Sequence, residues 1–178
     1  DDLAPAKAGI TLKEVATKMD LSKNVHYFDR AHFFKEMHEL TPLRMRLGLR
    51  TGLNTIEKLT HVASSEFAIT GVFHKPYVKK YVEVFSDRYK QFGLIQGNEG
   101  TPELFSKGRL WLVRDGEVEE FIIEPERYGI NYTKSWERIT IEESLEQTNN
   151  PSNEFLKLAR LNAAIHLFVA QKANSIDE

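Results

Sequence analysis

Two short apolar runs enclose an amphipathic helix between residues 67 and 96, and this pattern restricts the chain to few folds. Residues 67–73, with the sequence FAITGVF, are apolar and partly β-branched, which predicts a buried strand. Pro76 can open a helix whose apolar positions recur at helical spacing, at Val78, Tyr81, Val82, Phe85 and Tyr89. We expect Gly93 to end this helix and Leu94 to begin a second strand. Two strands joined through a helix by short connections predict a βαβ unit, with parallel strands and a right-handed crossover.

The dipeptide Asp115-Gly116 separates two further apolar runs and is typical of a two-residue hairpin turn of type I′. We therefore predict antiparallel strands over residues 109–114 and 117–124.

The C-terminal part of the chain predicts one long helix after an irregular segment. Residues 125–150 are expected to form a loop with at most short elements. Residues 152–172 are predicted to form the last helix, and because its apolar residues face nearly every side, we expect it to be buried. The expected fold class is α/β, with a mostly parallel sheet, one antiparallel hairpin and flanking helices.

Short helices are predicted before the first strand, each with a residue that can cap it. Thr11 is followed three residues later by a glutamate, the spacing of a capping box, so a helix should start near residue 12. Asp29 can cap a second helix with an apolar face formed by Phe33, Phe34, Met37 and Leu40. Thr41 can cap a third helix with Pro42 at its first position, and another helical segment is expected after Asn54.

The chain divides into two parts by its structural patterns and by its charge. We expect residues 1–60 to be a helical segment that belongs to, or bridges to, a helical domain, and residues 61–178 to be an α/β domain. The 24 lysines and arginines nearly balance the 26 aspartates and glutamates, which excludes a globally basic nucleic-acid-binding protein but not a local basic surface. Residues 41–80 hold seven basic and two acidic residues, whereas residues 117–154 hold ten glutamates and three basic residues. This asymmetry indicates either an anionic partner or two solvated faces.

Composition and motif searches exclude several functional classes. The absence of cysteine excludes disulfides, thiolate catalysis and thiolate metal sites, and it fits a reducing compartment. The longest apolar runs are about five residues, too short for a membrane-spanning helix, and the N-terminus does not resemble a signal peptide. We therefore expect a cytoplasmic protein, or one of an organelle matrix or stroma after removal of a presequence. The sequence has no zinc-like histidine spacing, no G-x-S-x-G motif and no glycine-rich phosphate loop.

Basic residues form the first candidate site. Arg44, Arg46 and Arg50 lie within seven residues and are interleaved with apolar ones. Guanidinium groups suit carboxylate and phosphate ligands, although the same pattern fits salt bridges between helices. We extend this set to a candidate anion-binding surface formed by Arg44, Arg46, Arg50, Lys58, Lys75, Lys79 and Lys80.

A turn after the second predicted strand is the second candidate site, and it contains Gly97, Asn98, Glu99 and Gly100. Loops at the carboxyl ends of parallel strands are where α/β proteins bind ligands. The alternative is an ordinary turn from a strand into a loop, because two glycines are common there.

Five segments, in order and with matching spacing, resemble the anthranilate phosphoribosyltransferase family, glycosyltransferases with the fold of the pyrimidine nucleoside phosphorylases. Residues 42–54 (PLRMRLGLRTGLN) resemble the family's VRRELGVRT-x-FN, residues 71–73 (GVF) its GVY, and residues 95–97 (IQG) its VHG. Residues 114–129 resemble RDGEIREYEIDPEDFG, and residues 161–173 resemble LNAAAALYVAGKA. The resemblance spans nearly the whole chain but only the C-terminal half of such a protein. It therefore implies an N-terminal half, a second copy or another subunit as partner.

The resemblance also implies roles for a few residues. Arg44 falls where the family places the arginine that pairs with the anthranilate carboxylate. The family's DGLDE segment, whose acidic pair holds magnesium, is matched by residues 99–103 (EGTPE), where Pro102 replaces the aspartate and Glu103 remains. Magnesium is thus expected only if family activity remains, with Glu103 as the remaining carboxylate ligand of that pair. The family's glycine-rich loops for phosphoribosyl pyrophosphate have no counterpart in this sequence.

Three hypotheses for function follow. The YbiB-like branch of the family keeps the fold, departs at these motifs and binds nucleic acid without sequence preference, and residues 41–80 look more like that branch. Our first hypothesis is a catalytically degenerate member that binds nucleic acid, another polyanion or a phosphorylated ligand through the basic surface. The alternatives are a glycosyltransferase that transfers phosphoribose to anthranilate with the missing loops supplied by another chain, and a structural subunit of a larger complex. Pro102 is the residue that best separates the first two hypotheses.

Overall fold

The structure is a computed structural model that describes residues 10–21, 24–47, 52–60, 62–97, 100–135 and 137–177. Its elements are, in chain order, α1 (Leu12–Ala16), α2 (Arg30–Phe33), α3 (Lys35–Glu39), α4 (Thr41–Leu47), α5 (Leu53–Glu57), β1 (Phe67–Gly71), α6 (Tyr77–Phe85), β2 (Gln91–Gln96), β3 (Gly108–Arg114), β4 (Glu117–Ile123), a 3₁₀ helix (Pro125–Tyr128), α7 (Ile141–Asn149) and α8 (Asn153–Val169).

The chain folds as two compact units. The helical unit comprises residues 1–62 together with 135–151, and the α/β unit comprises residues 63–134 together with 152–178.

The helical unit is built from short helices, of which α1, α2 and α7 have side-chain caps and α3 and α5 have none. Thr11 and Glu14 form the predicted capping box of α1, with both reciprocal hydrogen bonds present. The predicted helix after Asp29 is interrupted at Phe34, whose backbone leaves the helical region at φ −145° and ψ 65°. Histidine and phenylalanine are weaker helix formers, and they occupy the three positions that precede the restart of the helix at Lys35.

Residues 125–150 hold more structure than the predicted loop. They contain the 3₁₀ helix and the nine-residue helix α7, which starts from a capping box between Thr140 and Glu143. This threonine and glutamate at capping-box spacing is a signal that the sequence reading missed.

The α/β unit is organised around a four-stranded sheet in the order β1-β2-β3-β4. The predicted parallel pair is confirmed, with Phe67 opposite Gln91 and Gly71 opposite Ile95. The β2–β3 and β3–β4 pairs are antiparallel, so the described sheet is mixed and not mostly parallel. The reason is that the described residues form no helix between β2 and β3, and a parallel pair would need a long crossover there.

The hairpin between β3 and β4 forms as predicted. Asp115 has a φ of 52° and Gly116 a φ of 79°, the positive values that a type I′ turn requires at both central residues.

Gly93 lies inside β2 and does not end α6, which stops at Phe85. A side-chain carbon at Gly93 would approach Val169 of α8 to 2.9 Å and Leu110 of β3 to 3.0 Å. Glycine is therefore needed here because it lets α8 pack closely on the sheet.

Helices cover both faces of the sheet. On one face, Leu158, Leu161, Ile165 and Val169 of α8 pack into the main core with strand residues such as Ile95, Leu110, Leu112 and Ile123. On the other face, Phe85 of α6 meets Phe92 of β2 edge to face, with ring centroids 5.6 Å apart. Side chains alternate along each strand, so successive residues of β2 point toward α8 on one face of the sheet and toward α6 on the other.

The last helix is buried on one side only. Ser152 caps α8, and Leu167 on its outer side is half exposed. The prediction of a buried helix therefore holds for one side of α8 only, the side on which Leu158, Leu161 and Ile165 join the core. No helix in the described residues is both long and apolar enough to cross a membrane.

Candidate ligand cleft at the strand ends

A cavity of the α/β unit lies at the carboxyl ends of β1 and β2. It has a volume of about 510 Å³ and is lined by Phe73, His74, Gln96, Gly97, Lys107, Gly108, Arg109 and Ile122. We call it the strand-end cleft. Ligands of α/β proteins commonly bind at this edge of a sheet, beyond the carboxyl ends of parallel strands.

Glycines allow the segment after β2 to pack tightly against the strand ends. A side-chain carbon at Gly71 would lie 2.1 Å from the carbonyl oxygen of Gly100, and one at Gly97 would lie 2.5 Å from that of Glu103. Gly100 has a positive φ of 72° and sits beside Phe73. Of the predicted turn site, Gly97 lines the cleft and Gly100 supports it, whereas Asn98 and Glu99 lie outside the described residues.

Asn162 of α8 holds the end of this segment through its amide. Its Oδ1 accepts a hydrogen bond from the backbone N–H of Leu104 at 2.9 Å. Its Nδ2 donates to the carbonyl oxygens of Leu104 and Leu158, both at 3.0 Å. The sequence reading did not assign a role to Asn162, although a polar residue in an otherwise apolar helix is a recognisable signal.

Acidic residues pair with the basic groups around the cleft. Glu120 accepts hydrogen bonds from Lys75 at 2.9 Å and from the Trp111 indole at 2.8 Å, and it forms an ion pair with Arg109 at 3.1 Å. Hydrogen bonds from Lys75 and then Trp111 lower the pKa of the Glu120 carboxyl group. Likewise, the hydrogen bond from Lys107 lowers the pKa of Glu124.

Three of the predicted anion-binding residues lie together in the α/β unit. Lys75 follows β1, and Lys79 and Lys80 occupy the first turn of α6. All three are exposed. Lys75 and Lys79 line an adjoining groove together with Glu120, and Glu120 also pairs with Arg109 of the cleft. We define the basic rim as Lys75 and Lys79 of this groove, Lys107 and Arg109 of the cleft, and Lys80, which follows Lys79 in α6.

The remaining predicted basic residues belong to the helical unit. Arg46 and Lys58 are exposed there, and Arg50 lies outside the described residues.

Arg44, by contrast, is 4% exposed. Its guanidinium donates to Glu57 at 2.6 and 3.3 Å, and the buried Arg30 pairs with the same carboxylate. The alternative stated for this arginine segment, salt bridges between helices, therefore describes how Arg44 lies in the structure.

The position where the resemblance places the magnesium ligands offers one carboxylate. Glu103 is exposed there, and the described part of the chain contains no group of three His, Cys, Asp or Glu residues that could hold a metal ion. Pro102 has no side-chain oxygen to act as a second ligand, so a magnesium ion bound by Glu103 would take its other ligands from water or a bound phosphate.

A mixed four-stranded sheet with helices on both faces defines an open-sheet α/β domain. The sequence model of the "Glycosyl transferase family, a/b domain" matches residues 9–178, so the chain belongs to this family. The resemblance to the anthranilate phosphoribosyltransferase family is thereby confirmed, and the YbiB-like branch remains a prediction.

The relatives with similar sequences are longer than this chain. An uncharacterized protein of Aquifex aeolicus (strain VF5) is 30% identical over 183 residues, which cover 98% of this chain and 59% of that protein. Anthranilate phosphoribosyltransferase of Burkholderia mallei (strain SAVP1) is 30% identical over 186 residues, which cover 98% of this chain and 51% of the enzyme. The chain thus spans little more than half the length of these relatives.

Solved structures confirm the α/β fold class. Anthranilate phosphoribosyltransferase from Saccharomyces cerevisiae in complex with 4-fluoroanthranilate has a TM-score of 0.63 at 18% identity, over 77% of this chain and 43% of that one. The same enzyme in complex with PRPP and Mg has a TM-score of 0.61 at 19% identity, again over 77% and 43%. The enzyme from Thermus thermophilus has a TM-score of 0.56 at 19% identity, over 80% and 44%.

Proposed function

We propose that this chain is part of a catalytically degenerate member of the glycosyl transferase family that binds a polyanion, specifically the phosphate backbone of nucleic acid. The observation that carries the proposal is the basic rim, where Lys107 and Arg109 line the strand-end cleft, Lys75 and Lys79 line the adjoining groove, and Lys80 follows Lys79 in α6. Arg44 is left out of the proposed surface because it is buried against Glu57.

The ion pairs within the rim are compatible with phosphate binding. Lys75 and Arg109 are paired with Glu120 at the surface, where such pairs contribute only about 0–1 kcal/mol. A phosphate can therefore replace a glutamate as partner at low cost. Lys79 and Lys80 also lie at the amino end of α6, where the helix dipole adds positive potential.

The degeneracy is supported by the residues where the family binds magnesium. Pro102 stands at the position of the family's aspartate, and the described residues gather no metal-binding group. Magnesium is held in such sites by one or two carboxylates together with substrate phosphates, and the change to Pro102 leaves Glu103 as the one carboxylate of the pair.

The proposal is tested by fluorescence anisotropy of labelled DNA titrated with the full chain at several salt concentrations. If about four phosphates are neutralised, log K should fall with log salt with a slope of about −3.6 on duplex DNA. Combining Lys79→Glu with Lys80→Glu should weaken binding equally for unrelated sequences and reduce the slope by about 1.8.

Lys90→Glu is the matched control. Lys90 is exposed and lies just before the amino end of β2, whereas the strand-end cleft lies at the carboxyl end of that strand. Its affinity and salt slope should equal those of the original chain. Equal titrations for the double variant and the original chain would remove the basic rim as the binding site.

A second candidate function is phosphoribosyl transfer to anthranilate with further loops supplied by another chain. The observation that favours it is the solved relative in complex with PRPP and Mg. Turnover of anthranilate followed by its fluorescence, with phosphoribosyl pyrophosphate and magnesium, separates the two functions. We expect no turnover by this chain, and a rate that disappears on Glu103→Gln would favour the transferase.

A further inference from the structure

Aromatic side chains lie exposed among the lysines of the basic rim. Phe73 follows β1 and is 54% exposed, and Tyr77 opens α6 and is 46% exposed. His74 lies between them in the sequence and is also exposed. We call Phe73, His74 and Tyr77 the aromatic strip.

The three rings of the strip are in mutual contact. The centroids of Phe73 and His74 are 4.6 Å apart in an edge-to-face arrangement, and those of His74 and Tyr77 are 6.3 Å apart. The ammonium group of Lys80 lies 5.4 Å from the ring centroid of Tyr77. Lys75 and Lys79 alternate with these rings along the chain, and the rings and both lysines are exposed.

Packing of the α/β unit does not account for the strip. The side of α6 that enters the core carries Val78, Tyr81 and Phe85, and Tyr77 lies outside that set. Phe73 lies beyond the last residue of β1, and it lines the strand-end cleft together with His74.

We infer that the aromatic strip stacks the bases of single-stranded nucleic acid while the neighbouring lysines contact its phosphates. The inference deepens and rests on the proposed function. Proteins that bind single strands combine a basic surface that follows the backbone with aromatic side chains on which successive bases stack. A duplex keeps its base faces inside the stack, so the aromatic strip favours single strands, whereas the lysines alone would treat both forms similarly.

The test compares oligothymidylate, duplex DNA and inorganic polyphosphate as probes of the full chain. Phe73→Leu and Tyr77→Leu remove the aromatic faces and keep apolar bulk and charge. Each should weaken oligothymidylate binding about 5-fold to 160-fold, the range that corresponds to the loss of one stacked base, and leave polyphosphate binding unchanged. Phe28→Leu in the helical unit replaces a similarly exposed aromatic residue and should change neither affinity.

The outcomes separate the inference from the proposed function. Unchanged oligothymidylate binding in both variants, with unchanged thermal unfolding, overturns the inference while the proposed function stands. An equal loss of polyphosphate binding also overturns the inference, because polyphosphate has no bases. The rings would then support the structure of the surface and would not stack bases. Failure of the original chain to bind any of the three probes refutes the proposed function and the inference together. A change in self-association, measured by sedimentation, with unchanged oligothymidylate binding would assign the strip to a protein contact instead.

Discussion

In the helical unit, the Glu57 carboxylate accepts hydrogen bonds from two buried guanidinium groups, those of Arg30 and Arg44. Removing one partner of a buried ion pair costs about 3–5 kcal/mol, because the remaining charge keeps its desolvation penalty. We therefore expect Glu57→Gln to lower the free energy of unfolding of the helical unit by about 3 kcal/mol. Chemical denaturation followed by circular dichroism measures this loss.

Glu39→Gln is the control for that experiment. Glu39 forms an exposed pair with Lys35 at 3.9 Å, and exposed pairs of this kind contribute only a few tenths of a kcal/mol. Comparable destabilisation by both variants would mean that the buried arginines do not depend on Glu57.

Glu120 should give the α/β unit a measurable acid titration. Its folded-state pKa is depressed below the ordinary 4.5 by hydrogen bonds from Lys75 and Trp111. The carboxylate therefore stabilises the fold above pH 4.5, and this contribution is lost as the pH falls through the lower folded-state pKa. Trp111 donates directly to Glu120, so its fluorescence should report the protonation in a Trp136→Phe background.

The control for this titration is Glu120→Gln, in which the Trp111 emission should no longer change over the same acidic range. A midpoint at or above pH 4.5, or a transition that persists in Glu120→Gln, would contradict the assignment.

At the residue scale, the sequence predicts which side chains suit anions. It does not predict which of them form ion pairs with carboxylates of the same chain. Arg44 and Arg46 look alike in the pattern, yet one is buried and the other exposed. The difference depends on Glu57, which lies thirteen residues after Arg44 and reaches it only after α4 and α5 have packed. Local spacing carries no information about such a tertiary pair.

At the scale of elements, Asn162 links α8 to the segment that follows β2. Replacing it with leucine leaves the backbone N–H of Leu104 without its acceptor Oδ1, and an unsatisfied buried donor costs about 1–3 kcal/mol. We expect Asn162→Leu to destabilise the α/β unit by that amount and to accelerate hydrogen exchange at the Leu104 amide. Asn162→Asp keeps the acceptor and should give intermediate protection.

Asn153→Leu serves as the comparison, because Asn153 is exposed at the start of the same helix. It should leave exchange at Leu104 unchanged. If Asn162→Leu also left that amide fully protected, the side chain would not be what holds the segment.

Elements with strong local signals were predictable, and those fixed by tertiary packing were not. The type I′ turn at Asp115-Gly116 was predicted because both residues tolerate positive φ, and the structure has this geometry. The prediction that Gly93 ends α6 is wrong. A glycine that ends a helix and a glycine that lets a neighbouring helix pack closely on a strand look the same in sequence. Only the approach of Val169 distinguishes them.

At the scale of the whole molecule, the two units differ in how many large apolar side chains they bury. Among the described residues, the α/β unit buries many large apolar side chains, whereas Met37 is the one buried apolar side chain of the helical unit. The amphipathic patterns predicted the first core well, because strands and long helices have clear periods. In the helical unit the apolar face predicted after Asp29 is buried only in part. Met37 is buried, whereas Phe33 is 40% exposed.

The exposed apolar side chains of the helical unit should make the chain associate through that unit. Leu43, Met45 and Leu47 of α4 are each more than half exposed, and clustered apolar surface of this kind marks contacts with other proteins. We expect self-association at micromolar concentration in sedimentation, and a shift toward the monomer when Leu43→Lys and Leu47→Lys are combined, because these side chains lie one turn apart on the same helix. Leu167→Lys on the half-exposed side of α8 is the matched control and should leave the association unchanged. A chain that sediments as a monomer at every concentration, with no binding of a dye that reports exposed apolar surface, would refute this prediction.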